Sequence, residues 1–336
     1  MDGKMKFAMT LLLGIFQLHL VSGLNVPLPT QSTQNGSSSA NAHPLSTTFD
    51  DSSPPPGLRV VISWDPALHT FDPSELWLGI VAAGSTLALS PSGQRMTHTE
   101  TFRLVISHAQ FRLMPVSNEY CTIDAMVWGL WEIGNQMARR YPMPNRIPLF
   151  SAQIWTSRGW LGTVGLSKPE PEINEHEGIG AAATERRGPR SASLSSPSTP
   201  SLIKRVDSGS IRCREDHDLV VEFQFLYRDL DPGQVFTAFL RSNTIFATNG
   251  MQDTDVTLVA YGSGGRISLG LTDVKEGPGG ELLTWNLARI GTRTLWREVV
   301  LSYKAQEGRF VDRPRFEKLG FDLIYKGERI GLGLLG

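Results

Sequence analysis

Apolar residues recur along the chain in two blocks, and within each block the period changes from strand-like to helix-like and back. Leu58-Arg59-Val60-Val61-Ile62-Ser63-Trp64 opens the first block; Leu219-Val220-Val221-Glu222-Phe223-Gln224-Phe225 opens the second. Short runs of β-branched and aromatic residues predict strands. A helix start follows each run, Asp72-Pro73-Ser74-Glu75 and Asp231-Pro232-Gly233-Gln234. The Asp carboxylate can accept from orphan N–H groups of the first turn. Pro fits the first helical position, and Glu or Gln three residues on can bond back to the cap.

At the same spacing of 159 (231 − 72), Leu76 matches Val235, Trp77 Phe236, Ile80 Phe239, Val81 Leu240 and Leu87 Phe246. Together they form one apolar helical stripe. Ser90-Pro91 and Asn249-Gly250 are the predicted stops. A hairpin is expected next. In the second block Val256–Tyr261 and Arg266–Leu269 flank Gly262-Ser263-Gly264-Gly265; in the first the strands are Phe102–Ile106 and Phe111–Met114.

At a spacing of 157 (285 − 128), Trp128 pairs with Trp285, Leu130 with Leu287, Ile133-Gly134 with Ile290-Gly291 and Arg140 with Arg297, predicting a second helix. Ile154-Trp155 with Trp160-Leu161-Gly162, and Ile324-Tyr325 with Ile330-Gly331-Leu332, close each block as a second hairpin. The predicted fold is therefore α+β, an internal duplication of two tandem related domains. Each reads β-α-β-β-α-β-β, with helices packed on a mainly antiparallel sheet, over residues 58–167 and 217–336. The copies are expected to pack as a pseudo-dimer.

The remaining segments read as an address, a leader and a linker. Lys4 and Lys6 precede an apolar run from Phe7 to Val21, and Val21-Ser22-Gly23 offers small residues for cleavage. Residues 1–23 are thus a predicted signal peptide, and the mature chain is expected to be secreted, with no further membrane span. Residues 24–57 form a predicted disordered Ser/Thr/Pro-rich leader carrying the glycosylation sequon Asn35-Gly36-Ser37. Residues 168–216 are the predicted disordered linker. The dibasic pair Lys204-Arg205 makes it a candidate for secretory processing. In an oxidising compartment two cysteines favour one bridge, so Cys121 and Cys213 are the candidate disulfide.

Composition narrows function more than it names one. The 336 residues are 40% hydrophobic with a net charge of −1, which argues against wholesale disorder and against a nucleic acid partner. Polar positions shared by the blocks fall at helix ends: Asp72, Asp231, Glu75 and Gln234 at caps, Asp124 and Glu281 in first turns, Arg140 and Arg297 in last turns. They read as structural, so no duplicated catalytic set emerges. No H-E-x-x-H, Cys/His cluster or G-x-S-x-G occurs. Gly331-x-Gly333-x-x-Gly336 matches a dinucleotide fingerprint only by letters, because no helix follows it. No cofactor and no metal is expected: His98, Glu100 and His108 could in principle ligate a metal but read as solvated surface residues.

Eight Trp invite a sugar-binding reading. Trp77, Trp128 and Trp285 lie on helix stripes and read as core. Trp155 and Trp160 flank the turn Thr156-Ser157-Arg158-Gly159 and are the candidate ligand residues. The expected function is a secreted, non-catalytic interaction protein, effector- or toxin-like, whose partner is a protein or an extracellular polymer. A secreted carbohydrate hydrolase and a sugar- or wall-binding module are the alternatives. Exposed Trp155 or Trp160 on a shallow surface would favour binding, and a cleft with paired carboxylates would favour the enzyme.

Overall fold

The first block supplies β1 (Arg59–Phe71), α1 (Pro73–Leu87), β2 (Glu100–Arg103), β3 (Gln110–Pro115), α2 (Ile123–Arg140), β4 (Ile147–Thr156) and β5 (Gly159–Ser167). The second supplies β6 (Ser208–Arg212), β7 (Leu219–Asp229), α3 (Pro232–Asn249), β8 (Thr257–Tyr261) and β9 (Ser268–Asp273). It continues with α4 (Trp285–Thr294) and its π-helical extension Leu295–Val300, then β10 (Tyr303–Lys304), β11 (Arg309–Phe310), β12 (Glu317–Tyr325) and β13 (Glu328–Leu335). The structure is a computed structural model and describes residues 53–91, 93–104, 107, 109–167, 207–249, 256–274, 282–304 and 307–336. The signal peptide, Asn35, His108, Glu281, Lys204 and Arg205 lie outside the described residues.

The architecture is α+β with antiparallel sheets. Strand order is β1-β4-β5-β3-β2 in the first sheet and β6-β7-β12-β13-β9-β8 in the second; β10 and β11 pair separately. Helices α1 and α2 lie on the first sheet, α3 and α4 on the second, and the two helix layers meet. Pro54–Gly336 accordingly forms one compact unit. Alternation along β1 shows the consequence: Val60 faces the helices at 8% exposure, while its neighbour Val61 is 52% exposed on the outer face.

The helices begin where their caps dictate. Asp72 accepts from Ser74 N–H at 2.8 Å, and Asp231 from Gln234 N–H at 2.8 Å. Thr122 caps α2 by accepting from Ala125 N–H, and Thr284 caps α4 by accepting from Leu287 N–H. The two Thr caps share nearly one backbone conformation, φ −92° and ψ 157° against φ −91° and ψ 158°. They stand 162 positions apart (284 − 122), not 157. The expected pairing of Trp128 with Trp285 therefore does not hold: Trp128 lies well inside α2, whereas Trp285 is the first residue of α4. The cap sets where a helix begins, and an apolar side chain can be buried from several positions on its stripe.

The layers meet through side chains of α1, α2 and α3. Trp77 of α1 stacks on Phe236 of α3, with centroids 4.5 Å apart and planes 5° apart. Such a pair contributes about 0.5–1.5 kcal/mol beyond its buried area. Seven residues further along both helices, a Cβ at Gly84 would stand 2.8 Å from Asn243 Nδ2, so a larger residue would collide. That same amide donates to Val81 O at 3.1 Å. Helices α1 and α3 thus run side by side in the same direction. On α2, Trp128 and Trp131 take the Arg241 guanidinium over their rings, 4.0 and 5.7 Å from the centroids.

One buried cation also crosses between the layers. Arg289 of α4, 4% exposed, donates to Ser85 O and Oγ on α1, to Glu215 and to Asn286. Burial pulls its pKa down, and the Glu215 carboxylate opposes that shift.

Three expectations change at this level. Strand β6 lies inside the stretch read as linker, because Ser208–Arg212 pairs with β7 and so satisfies its backbone without a long apolar run. Glu75 turns away from the helix cap it was expected to complete. It is buried and accepts from Ser107 N–H at 2.7 Å and Ser107 Oγ at 3.1 Å. Cys121 and Cys213 are both free, buried thiols, so the expected bridge between them is not formed. Each is held by its own surroundings: Cys121 by the Val116 backbone, Cys213 by Thr294.

Candidate functional site

The first sheet brings the two candidate tryptophans together. The β4–β5 register places Trp155 opposite Trp160 across the hairpin. Their ring centroids are 6.2 Å apart and their planes 28° apart. Trp155 is half-buried and Trp160 is 40% exposed. The indole N–H of Trp160 donates to Gly162 O at 2.8 Å, which fixes the ring while leaving its carbon surface open.

The row continues on both sides. On β1, Arg59 pairs in register with Trp155 and holds its guanidinium 5.2 Å from that ring's centroid. Beyond Trp160, Asn118 Nδ2 donates to Trp160 O at 2.7 Å and anchors the loop carrying Tyr120. Tyr120 is 38% exposed, and the Arg158 guanidinium from the β4–β5 turn lies 5.3 Å from its centroid. The Tyr120 hydroxyl shares a hydrogen bond with Glu119. That bond and the carboxylate's charge raise the phenol above its ordinary range.

Along one end of the outer face the sequence of groups is therefore cation, indole, indole, and then a phenol with its own cation. Exposed Val61 and Met114 adjoin it, with Gln153 and Thr163 between them in register. Aromatic rings held by backbone contacts offer flat carbon faces at little conformational cost. Guanidiniums lying over rings keep their edge N–H groups available.

Other candidate chemistry is sparser. His98 Nε2 lies 2.6 Å from Glu100 Oε1, an exposed pair. Among the described residues no group of three His, Cys, Asp or Glu side chains is placed to hold a metal ion. On the outer face of the second sheet Glu222 and Asp322 stand opposite in register, with Asp322 buried. Among the described residues no helix is long and apolar enough to cross a membrane.

Pattern reading nominated Trp155 and Trp160 but missed Tyr120, Arg59 and Arg158 as their companions. The turn between the tryptophans offered a signal for Arg158. Arg59 and Tyr120 come from distant positions, and only strand order brings them in. Compared with known protein families, curated proteins and solved structures, the chain has no significant match.

Proposed function

We propose that this chain is an exported, non-catalytic binding protein, built from two copies of one β-α-β-β-α-β-β unit, and that it binds its ligand at the aromatic end of the first sheet. The observation that carries the binding reading is Trp160: a large aromatic residue 40% exposed, fixed in place and stacked on Trp155. Trp77 and Trp296, in contrast, are sealed in the core at 0% and 1% exposure. A fixed aromatic face left open on a shallow sheet suits recognition rather than bond-making chemistry.

The duplication is supported by equivalent contacts. Omitting β6, the strand orders β1-β4-β5-β3-β2 and β7-β12-β13-β9-β8 run in the same sense. Gly129, seven residues after Thr122, approaches Ile154 of β4; Gly291, seven after Thr284, approaches Leu323 of β12. Trp77 meets Phe236 and Gly84 meets Asn243, each pair at the spacing of 159 (236 − 77, 243 − 84). Contacts between equivalent positions are what a two-fold packing of copies produces. Export through the signal peptide, glycosylation at Asn35 and cleavage after Lys204-Arg205 belong to the same reading. With both cysteines free, the halves of a cleaved chain would be held by noncovalent contacts, among them the helix interface and Phe316 against Trp77.

The test is retention of the secreted protein on insoluble and immobilised polysaccharides. Trp160→Ala is expected to weaken retention at least tenfold while its unfolding midpoint stays at the wild-type value. Equal retention of the variant and the wild type overturns the reading.

A further inference from the structure

We infer that the ligand taken by the aromatic end of the first sheet is a polysaccharide carrying carboxylate groups. The inference rests on the binding reading above and adds the charge of the ligand. The chain as a whole has a net charge of −1, yet this face is locally basic. Arg59, Arg103 and Arg112 point outward from its strands, and Arg158 projects from the adjoining turn. Asp65 is the outward carboxylate on those strands, and it sits three register rows along β1 from Arg59. Glu119 is engaged by the Tyr120 hydroxyl.

Arg59 and Arg158 are the two cations beside the rings. Among the described residues neither has a carboxylate partner; each lies over an aromatic ring. A guanidinium stacked in this way is oriented without being neutralised. Its planar fork of N–H donors matches the two oxygens of a carboxylate. Arg112 differs, since its guanidinium is already taken by Gln110 Oε1. The indole pair between the cations offers apolar surface for the C–H faces of sugar rings. Gln153 and Thr163, one row inward, supply hydrogen-bonding groups suited to hydroxyls.

An acidic peptide needs the cations but not a pair of indole rings between them. A single-stranded nucleic acid needs a continuous positive track as well as rings; here the two cations stand on separate rings with the indole pair between them, and Arg112 is taken by Gln110 Oε1. A uronate-type polymer uses both features.

The experiment measures binding of the full-length secreted protein to polygalacturonate, to fully methyl-esterified polygalacturonate, to poly-glutamate and to a single-stranded oligonucleotide. Polygalacturonate is expected to bind at least tenfold more tightly than the other three, and its affinity is expected to fall as salt rises. Arg59→Gln and Arg158→Gln should each weaken polygalacturonate binding severalfold and weaken the esterified polymer by a clearly smaller factor. Trp160→Ala should weaken both polymers. Equal affinity for the acid and its ester, with Trp160→Ala still weakening both, overturns the charge inference and leaves the binding site standing. Poly-glutamate or the oligonucleotide binding as tightly as polygalacturonate overturns the polysaccharide class. Loss of nothing in Trp160→Ala overturns the site itself, and the charge inference with it.

Discussion

At the β4–β5 hairpin the cross-strand pair is Trp155 and Trp160, with Arg59 over one ring. At the β12–β13 hairpin the cross-strand pair is Tyr325 and Glu328, and Lys326 reaches over the Tyr325 ring. Both ends keep a cation on an aromatic ring, but only the first leaves an aromatic pair open. The outer faces diverge further. Arg59, Arg103 and Arg112 point out from the first sheet, whereas the second sets Glu222 opposite Asp322 with Arg212 and Arg329 in the next outward row. Inside, the two halves keep like features: Thr-capped second helices, a glycine of each against the strand beneath it, and first helices that meet side by side. Burial constrains inner faces to one solution, because a changed volume there costs stability at once. Outer faces carry no such constraint, so one of them can specialise for a ligand.

The largest expected effect probes whether the halves are energetically one unit. Trp77→Ala removes a fully buried ring from the boundary and should cost about 3–5 kcal/mol. Urea unfolding followed by fluorescence and by far-ultraviolet circular dichroism should give one shifted transition seen by both probes. Two separated transitions would mean that each half folds for itself.

A smaller effect tests the proposed equivalence of the halves. Gly129→Ala and Gly291→Ala each force a methyl onto the strand beneath the second helix, against Ile154 or Leu323. Overpacking of this kind costs about 1–3 kcal/mol, against which alanine's better helix propensity returns about 1 kcal/mol. Matched losses in the two variants are expected. A loss in one and none in the other would break the correspondence of α2 with α4.

The cysteines distinguish the halves by pH. Burial pushes the Cys213 thiol up to about 11 and raises Cys121 as well. The folded chain therefore holds a proton that the unfolded chain releases near its ordinary pKa of about 8.5. Stability from this source is complete below that pH and is lost as pH rises toward 11, by up to about 1.4 kcal/mol per pH unit. Denaturation midpoints of wild type and Cys213→Ala, compared between pH 8 and 11, should converge as pH rises. Parallel curves would contradict the buried, neutral thiol.

Much of the fold was legible in local pattern. The starts of α1 and α3 follow from Asp-Pro, whose carboxylate and missing N–H both suit a first turn. All ten residues matched along those two helices are buried, from Leu76 and Val235 to Leu87 and Phe246. The match of Trp128 with Trp285 at a spacing of 157 does not coincide with the Thr caps of the second helices, which stand 162 positions apart. Strand β6 was missed because Ser208-Gly209-Ser210 has little side chain to reveal a strand; its pairing with β7 is a backbone matter. The site was half legible. Trp155 and Trp160 stand out by flanking a turn, while Arg59 and Tyr120 carry no local mark of their role.

By itself, then, the order of residues determined the first helix of each half, its Asp cap and which side of it turns inward, since these depend on neighbours one to four positions away. Tertiary structure alone decided that Cys121 and Cys213 stay apart as thiols, that Glu75 serves Ser107, and that Arg59 reaches Trp155. Each of those outcomes depends on which strands and helices become neighbours, and that choice is made by the burial of the whole chain rather than by any one segment.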